Sequence, residues 1–289
     1  MKRKPDILAV IGTRDSFSRY KKPGGSEVYC DIPCYKILSA GECKPGTDPT
    51  IARRIGYTWQ NLEARPDMPG VYGFAANTRE YSIIWSDPSG PAISPPVLWS
   101  DLGLLEQYVH SLYVPPKGHH LLDPSITSPT RHVPVNNPKR AGEQTHWTIF
   151  FGGKEYKNCH HIHVGDSWGR RTNVFMYDNP DDSGDFAVIK DAFPDDRRRF
   201  KEDALLEHIH SEGVFPGMVR PLASGKVRGC DDSVITTVSA PGRIDRQTKN
   251  RLVMGSRGSR VSAAKSVKDI LMAAYDGVEG KIPFYHTMS

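Results

Sequence analysis

A lysine ends a short apolar segment of the sequence, and an acid follows it on a predicted helix. Lys190 closes residues 186–190, and a lysine at the end of a buried strand needs an anion to offset its desolvation. In the helix predicted over 196–210, Glu202 shares the apolar face, whereas Glu207 lies about 140° away. The pattern predicts that Lys190 contacts Glu202; the alternative is an exposed lysine and an unrelated surface acid.

A glycine-containing turn lies one hairpin before the lysine strand. It contains Gly165 and Gly169 and leads into Val174. Backbone N–H groups of such a turn can cover phosphates, although two glycines four residues apart are common in hairpins. The order of glycine turn, strand lysine, helix acid, further strands and helix is that of a protein-kinase amino-terminal lobe. In that lobe the lysine holds the nucleotide α- and β-phosphates and pairs with the acid.

The sequence resembles the fungal-type protein kinase family over most of the chain beyond about residue 50. The matching segments are Pro-Val-Leu-Trp-Ser-Asp at 96–101, Asp-Pro-Ser-Ile-Thr at 123–127, Gly-Arg-Arg-Thr at 169–172, Val-Ile-Lys-Asp at 188–191, Glu-Gly-Val-Phe-Pro-Gly-Met-Val at 212–219 and Arg-Leu-Val-Met at 251–254. The resemblance implies that Lys190 is the nucleotide lysine and Glu202 its helix partner. It also implies that adenine lies against a strand and hinge at 252–256, which include Val253 and Met254.

The same resemblance implies a cofactor and a reaction. In the complete family, ATP with magnesium donates a phosphoryl group to a protein serine or threonine. Gly165, Gly169 and Val174 would be further nucleotide-binding residues on the side of the glycine turn. ATP is therefore the expected ligand, and the protein substrate or partner is not specified by the sequence.

The motifs that would complete a kinase active site are missing from the 289 residues. Neither a catalytic loop of the H-R-D-x-x-x-x-N kind nor a D-F-G-like metal site is found. The segment 185–187 reads Asp-Phe-Ala but precedes the lysine, which is the wrong order. We therefore expect a truncated kinase-family chain with no catalytic residues and no metal ligands, which is inactive alone and binds ATP weakly or not at all. The alternative is a non-catalytic interaction module on a kinase-like scaffold.

Zinc binding is a third and less supported hypothesis. Cys159, His161 and His163 would share one face of a regular strand, and these residue types can bind zinc. No C-x-x-C pair accompanies them, and adjacent histidines on a strand are more often exposed. The five cysteines are odd in number and scattered, which is unlike a disulfide framework. They favour a reduced, intracellular protein of the cytoplasm or nucleus.

The pattern of strands and helices that would position these residues indicates an α+β protein in three parts. Residues 1–113 form a family-specific, β-rich region with a hairpin (71–74 and 81–85) and one helix (about 101–113). Residues 114–145 form a proline-rich linker. Residues 146–289 form a kinase-like small lobe, an antiparallel sheet plus one helix, with the start of the large lobe. Its predicted elements are strands at 147–151, 160–164, 172–177, 186–190, 218–223, 233–238 and 250–254, the helix over 196–210, and a last helix from Ser266.

Composition excludes several classes of protein. The net charge is only +5, without a sustained basic stripe, so nucleic-acid binding is not expected. No run approaches the roughly 18 apolar residues of a membrane span, and the short apolar run after the basic start does not make a signal peptide. The predicted last helix has an apolar face, which a large lobe would cover. Its exposure would favour self-association through Ile270, Leu271, Ala274 and Val278.

Overall fold

The chain folds as a mixed α+β protein, which confirms the predicted class. The computed structural model describes residues 7–10, 18–21, 28–31, 36–43, 51–127, 132–134, 143–179, 185–197, 201–211, 213, 218–238, 246–255, 266–268 and 271. Within these ranges there are two large sheets, one separate two-stranded hairpin and three helices. None of the helices in the described part of the chain is long and apolar enough to cross a membrane.

The first sheet has six strands and is formed by the amino-terminal third of the chain. Its strands are β1 (Ile7–Val10), β4 (Ile37–Cys43), β5 (Val71–Ala76), β6 (Glu80–Asp87), β7 (Gly90–Ile93) and β8 (Val97–Leu98). Strands β4 and β5 pair in parallel and the other pairs are antiparallel. Strands β2 (Ser18–Lys21) and β3 (Val28–Asp31) form the separate hairpin. The predicted hairpin over 71–85 is confirmed as β5 and β6.

Two helices belong to this amino-terminal part, where the sequence predicts one. Helix α2 (Gly103–Ser111) confirms the helix expected over about 101–113. Helix α1 (Ile51–Ala64) packs on β4, β5 and β6 and was not predicted. Its buried side includes Thr58 and Asn61 beside Leu62. The helix is nevertheless amphipathic, so the sequence carries a signal for it at helical spacing.

The second sheet has eight strands and carries the residues singled out by the sequence. Its strands are β9 (Ile126–Thr127), β10 (His132–Pro134), β11 (Glu143–Phe151), β12 (Lys154–Val164), β13 (Asn173–Asp178), β14 (Phe186–Ala192), β15 (Pro221–Lys226) and β16 (Asn250–Met254). The order is β10-β11-β12-β13-β14-β16-β15, with β9 on β11, and every pair is antiparallel. Helix α3 (Glu202–Ile209) packs against β15.

Some predicted elements differ from the structure in extent. Strand β15 begins at Pro221 rather than at 218, and the strand predicted over 233–238 is reduced to isolated bridges. Helix α3 begins six residues later than predicted. Asp195 forms a bridge with Gln247, and Asp196 accepts a hydrogen bond from the Thr248 hydroxyl at 2.6 Å. These contacts hold residues 195–196 beside the strands before the helix begins.

The last helix lies almost entirely outside the described residues. Of its predicted apolar face, Val267 and Leu271 are described, and both side chains are exposed. Ile270, Ala274 and Val278 lie outside the described residues, as does residue 256 of the predicted hinge. Self-association through this face therefore stays a prediction.

Part of the proline-rich stretch is packed between the two sheets. Leu121 is buried in the core of the first sheet, with Tyr72 and Trp85. Ile126, five residues later, is buried in the core of the second sheet. Segment 114–127 therefore joins the two cores through apolar contacts.

Candidate anion-binding site

Lys190 contacts Glu202, as the sequence predicts. The Lys190 Nζ donates hydrogen bonds to both carboxylate oxygens of Glu202, at 2.5 Å to Oε1 and 2.7 Å to Oε2. The acid predicted to face solvent, Glu207, is exposed and accepts a hydrogen bond from the Ser224 hydroxyl. The pair is not buried, however, because the side chains are 22% and 44% exposed. Glu202 is the first residue of α3 and lies at the open end of the helix, so its expected inward orientation is only partly correct.

The Lys190–Glu202 pair lies in a surface pocket of about 280 Å³. Arg170, Lys190 and Lys201 bring positive charge to its lining, and Glu202 and Asp203 bring negative charge. Its apolar wall consists of Ala192, Pro194, Leu205 and Leu252. A cleft with cations at one side and an apolar wall at the other can bind an anion attached to an apolar group.

Arg170 is a pocket residue that the sequence analysis did not assign. One guanidinium nitrogen lies 3.5 Å from Glu202 Oε2, so the carboxylate lies between Arg170 and Lys190. The only signal in the sequence is its place in the Gly-Arg-Arg-Thr segment. That segment does not tell which of its two arginines points to the pocket.

The strand register decides which predicted side chains share the face of Lys190. Val174 and Leu252 are its direct cross-strand partners on β13 and β16. Paired residues point to the same side of a sheet, as do residues two apart on one strand. Met254, two residues after Leu252, therefore shares the face of Lys190. Val253 points the other way and is fully buried in the core, so its side chain does not lie on the face of Lys190.

The glycine turn connects β12 and β13, as expected, but its glycine N–H groups are engaged within the protein. Gly165 N–H donates to the carbonyl of Thr172 at 2.7 Å and closes the hairpin. Gly169 has a φ of +81° and donates its N–H to the carbonyl of Pro88, also at 2.7 Å. These two groups therefore do not point to a phosphate in the pocket, and the expected phosphate contact through them is not formed by this conformation.

The second arginine of the turn fixes it to the amino-terminal part of the chain. Arg171 is buried and donates hydrogen bonds to the carbonyls of Leu62, Arg65 and Met68, at 2.5–2.8 Å. These carbonyls lie at and just beyond the end of α1. Burial lowers the pKa of the Arg171 guanidinium to about 10, which leaves it charged at neutral pH. Arg171 is thus a structural anchor, whereas its neighbour Arg170 lines the pocket.

On the opposite face of the sheet, four charged residues form a buried cluster. Arg251 makes two hydrogen bonds to Asp191, at 2.6 and 2.7 Å, and one to Asp123 at 3.0 Å. Lys249 Nζ lies 2.5 Å from Asp123 and 3.1 Å from Asp191. Burial alone would raise the pKa of both carboxyls, but Arg251 and Lys249 hold them below the usual range. The cluster ties segment 123–125 to the lysine strand and its neighbour.

The predicted zinc ligands do not share a face of β12. A β-bulge lies between His161 and His163, so His161 pairs with Phe175 and His163 pairs with Val174 on the other side. The Cys159 thiol is buried, and this burial raises its pKa to about 12, which disfavours the thiolate that binds zinc. Among the residues that the structure describes, no group of three His, Cys, Asp or Glu side chains could hold a metal ion.

A second, larger cavity of about 690 Å³ lies between residues 112–122 and the turn at 230–231. Its lining is mainly apolar and includes Leu112, Pro116 and Leu122, with His119 and His120 beside them. Burial lowers the pKa of His119, which therefore favours the neutral imidazole. The cavity lacks the cluster of cations that marks the Lys190 pocket.

Comparisons of the chain with models of protein families, with curated proteins and with solved structures gave no match. The function is therefore inferred from the pocket itself and from the order of the elements that surround it. The Lys190–Glu202 pair is the feature in which sequence pattern and geometry agree most closely.

Proposed function

We propose that this chain is a kinase-like nucleotide-binding lobe that holds the phosphates of ATP at the Lys190 pocket. The observation that carries the proposal is the Lys190–Glu202 ion pair, with both carboxylate oxygens engaged, at a pocket with further cations. In protein kinases an equivalent strand lysine and helix acid prepare the nucleotide site. The same proposal holds that the 289 residues do not transfer a phosphoryl group by themselves.

The order of strands supports this proposal. Strand β14 has the glycine hairpin β12–β13 on one side and β16, the predicted hinge strand, on the other. Helix α3 follows β14 in the chain and brings Glu202 to the lysine. This is the succession of parts that a kinase small lobe requires around its lysine. Because β14 lies between β13 and β16, its lysine can contact a ligand that lies over all three strands.

Each side chain of the pocket has a distinct role in the proposed complex. Lys190 would bind phosphate oxygens as a point charge, and Glu202 would hold the ammonium group in position. The adenine ring would lie on the apolar surface formed by Leu252, which lines the pocket, and by Val174 and Met254, which share the lysine's face but do not line the pocket. The ring would then be placed by burial of apolar area and the phosphates by charge.

The described residues do not fit a resident magnesium ion. Glu202 is engaged by Lys190 and Arg170, and no group of three possible ligands is found in the described part of the chain. The sequence also lacks the aspartate and asparagine motifs that hold magnesium in kinases. Magnesium would arrive with ATP, and no step of the proposal depends on it.

Titration of the full chain with ATP tests the proposal. Two-dimensional NMR at low ionic strength detects weak binding, and we expect a Kd of about 1 mM, or roughly −4 kcal/mol. Lys190→Ala should weaken binding at least about tenfold, since the charge that meets the phosphates is lost. The matched control is Lys226→Ala, which removes an exposed lysine of β15 outside the pocket.

A non-catalytic interaction module on the same scaffold predicts a different result. The parent chain would then show no saturable shift changes with ATP, and Lys190→Ala would change nothing. Equal ATP affinities of the parent and the Lys190→Ala variant, both folded, would contradict the proposed function.

A further inference from the structure

Arg170 is exposed to the pocket and incompletely neutralised. Its side chain is 43% exposed, and its guanidinium lies 3.5 Å from Glu202. Glu202 also receives both hydrogen bonds of Lys190, so one carboxylate serves two cations. Lys201 and Asp203 also line the pocket and cancel in net charge, and the lining residue Arg251 is paired with buried carboxylates. The pocket therefore keeps an excess of about one positive charge, which an entering anion would meet.

Three backbone N–H groups of the glycine turn are already hydrogen-bonded within the protein, so they do not bind such an anion. The N–H groups of Gly165, Trp168 and Gly169 donate to Thr172 O, to Asp166 Oδ1 and to Pro88 O. A turn that covered phosphates through its amides would need these groups free. In this chain the turn is fastened to the amino-terminal part instead, and a side chain must supply the contact that the backbone does not.

The backbone of Arg170 is held in place on both sides and across the pocket. Gly169 donates a hydrogen bond to the Pro88 carbonyl, and Arg171 donates to carbonyls at and just beyond the end of α1. The Arg170 carbonyl accepts a hydrogen bond from Phe193 N–H at 2.7 Å, next to the end of the lysine strand. A ligand-binding group whose backbone is already fixed loses less entropy when the ligand arrives.

We propose that Arg170 is a second phosphate-binding residue of this pocket and that it replaces the amides of the glycine turn. An arginine can bind two oxygens of a phosphate at once, whereas Lys190 acts as a point charge. Two such cations around one carboxylate suit a ligand with two or more linked phosphates, either a nucleotide or a free polyphosphate. The inference rests on the proposed function, because it assumes that Lys190 binds phosphate.

The experiment compares ATP, inorganic tripolyphosphate and adenosine as ligands of the full chain. Affinities are measured by NMR titration for the parent, Arg170→Ala, Arg170→Lys and the control Arg79→Ala, which removes an exposed arginine outside the pocket. We expect Arg170→Ala to weaken ATP and tripolyphosphate about tenfold and to leave adenosine unchanged. Arg170→Lys should recover part of the loss, since it keeps the charge but not the fork of donors.

The possible outcomes separate this inference from the proposed function. If Lys190→Ala weakens ATP binding while folded Arg170→Ala binds ATP like the parent, the inference is overturned and the proposed function stands. If the parent binds neither ATP nor tripolyphosphate, the proposed function fails and the inference fails with it. If ATP binding depends on Arg170 but tripolyphosphate does not bind, the ligand is a nucleotide. Arg170→Gln, which keeps a polar side chain, replaces Arg170→Ala should the latter not fold.

Discussion

Lys190 and Asp191 are consecutive residues of β14, and their side chains lie on opposite faces of the sheet. Lys190 meets Glu202 in the surface pocket. Asp191 is almost completely buried and meets Arg251 in the charged cluster. One strand therefore carries two ion pairs in very different surroundings, and the surroundings decide how much each pair contributes to stability.

The exposed pair should contribute little to stability. Glu202→Ala is expected to lower the free energy of unfolding by about 0.5–1 kcal/mol, because water screens a pair whose acid is partly exposed. Urea unfolding followed by circular dichroism measures the change, with Glu106→Ala, which removes an exposed acid from the first turn of α2, as the control. A loss several times larger would show that the pair is more desolvated than its exposure indicates.

The buried pair should be far more sensitive. Arg251→Met is expected to lower the free energy of unfolding by about 3–5 kcal/mol, because it leaves the buried carboxylates of Asp191 and Asp123 with fewer partners. The double variant Asp191→Leu, Arg251→Met should recover part of this loss, since it removes both charges of the pair. Additive losses in the double variant, measured by the same urea method, would contradict a coupled cluster.

Burial of His161 should make stability depend on pH between about 6.5 and 4. Desolvation lowers the pKa of His161 to about 4, and its ring stacks on Phe175 at 4.3 Å between centroids. In the unfolded chain the pKa is about 6.5, so the unfolded state takes up the proton first as the pH falls. The free energy of unfolding should therefore fall by at most about 3 kcal/mol as the pH is lowered from 6.5 to 4.

The variant His161→Phe isolates this effect, because it keeps an aromatic ring against Phe175 and removes the titrating group. Thermal unfolding between pH 7 and pH 4 should then show a flatter loss of Tm than in the parent. A second loss should survive in both proteins below about pH 4. There the depressed pKa values of Asp123 and Asp191 mean that the unfolded state is protonated before the folded state. Identical curves for parent and variant from pH 7 to pH 4 would contradict the prediction.

Local patterns were enough to predict the lysine strand, helix α2 and the contact between Lys190 and Glu202. A strand has a period of two residues and a helix a period of 3.6, so short windows of sequence reveal which side chains share a face. The helix acid lies only twelve residues from the lysine in the chain. A contact between residues so close in the chain can be predicted once the strand and the helix that carry them are predicted.

Other features depend on contacts that no local pattern shows. Asp123 meets Lys249, which is 126 residues away in the chain. The different roles of Arg170 and Arg171 depend on carbonyls at and just beyond the end of α1, which are more than 100 residues away in the chain. The bulge that places His163 away from Cys159 interrupts the alternation on which the zinc hypothesis relied.

The last prediction concerns chemistry: the 289-residue chain should show no phosphotransferase activity by itself. Phosphoryl transfer needs a carboxylate that positions the acceptor hydroxyl and ligands that hold magnesium on the phosphates. Lys190, Glu202 and Arg170, which we propose bind the phosphates, supply neither function, and the motifs that would supply them are missing from the sequence.

Purified chain incubated with labelled ATP, magnesium and a generic protein acceptor should therefore transfer no label above the level of Lys190→Ala. A trace of label from a contaminating kinase would be the same in both preparations, so the comparison is decisive. Transfer that disappears in Lys190→Ala would contradict the prediction, because only catalysis at this pocket depends on that lysine. The reaction would then require an aspartate near the 280 Å³ pocket to act on the acceptor. Asp203, which lines the pocket, would be the first residue to replace.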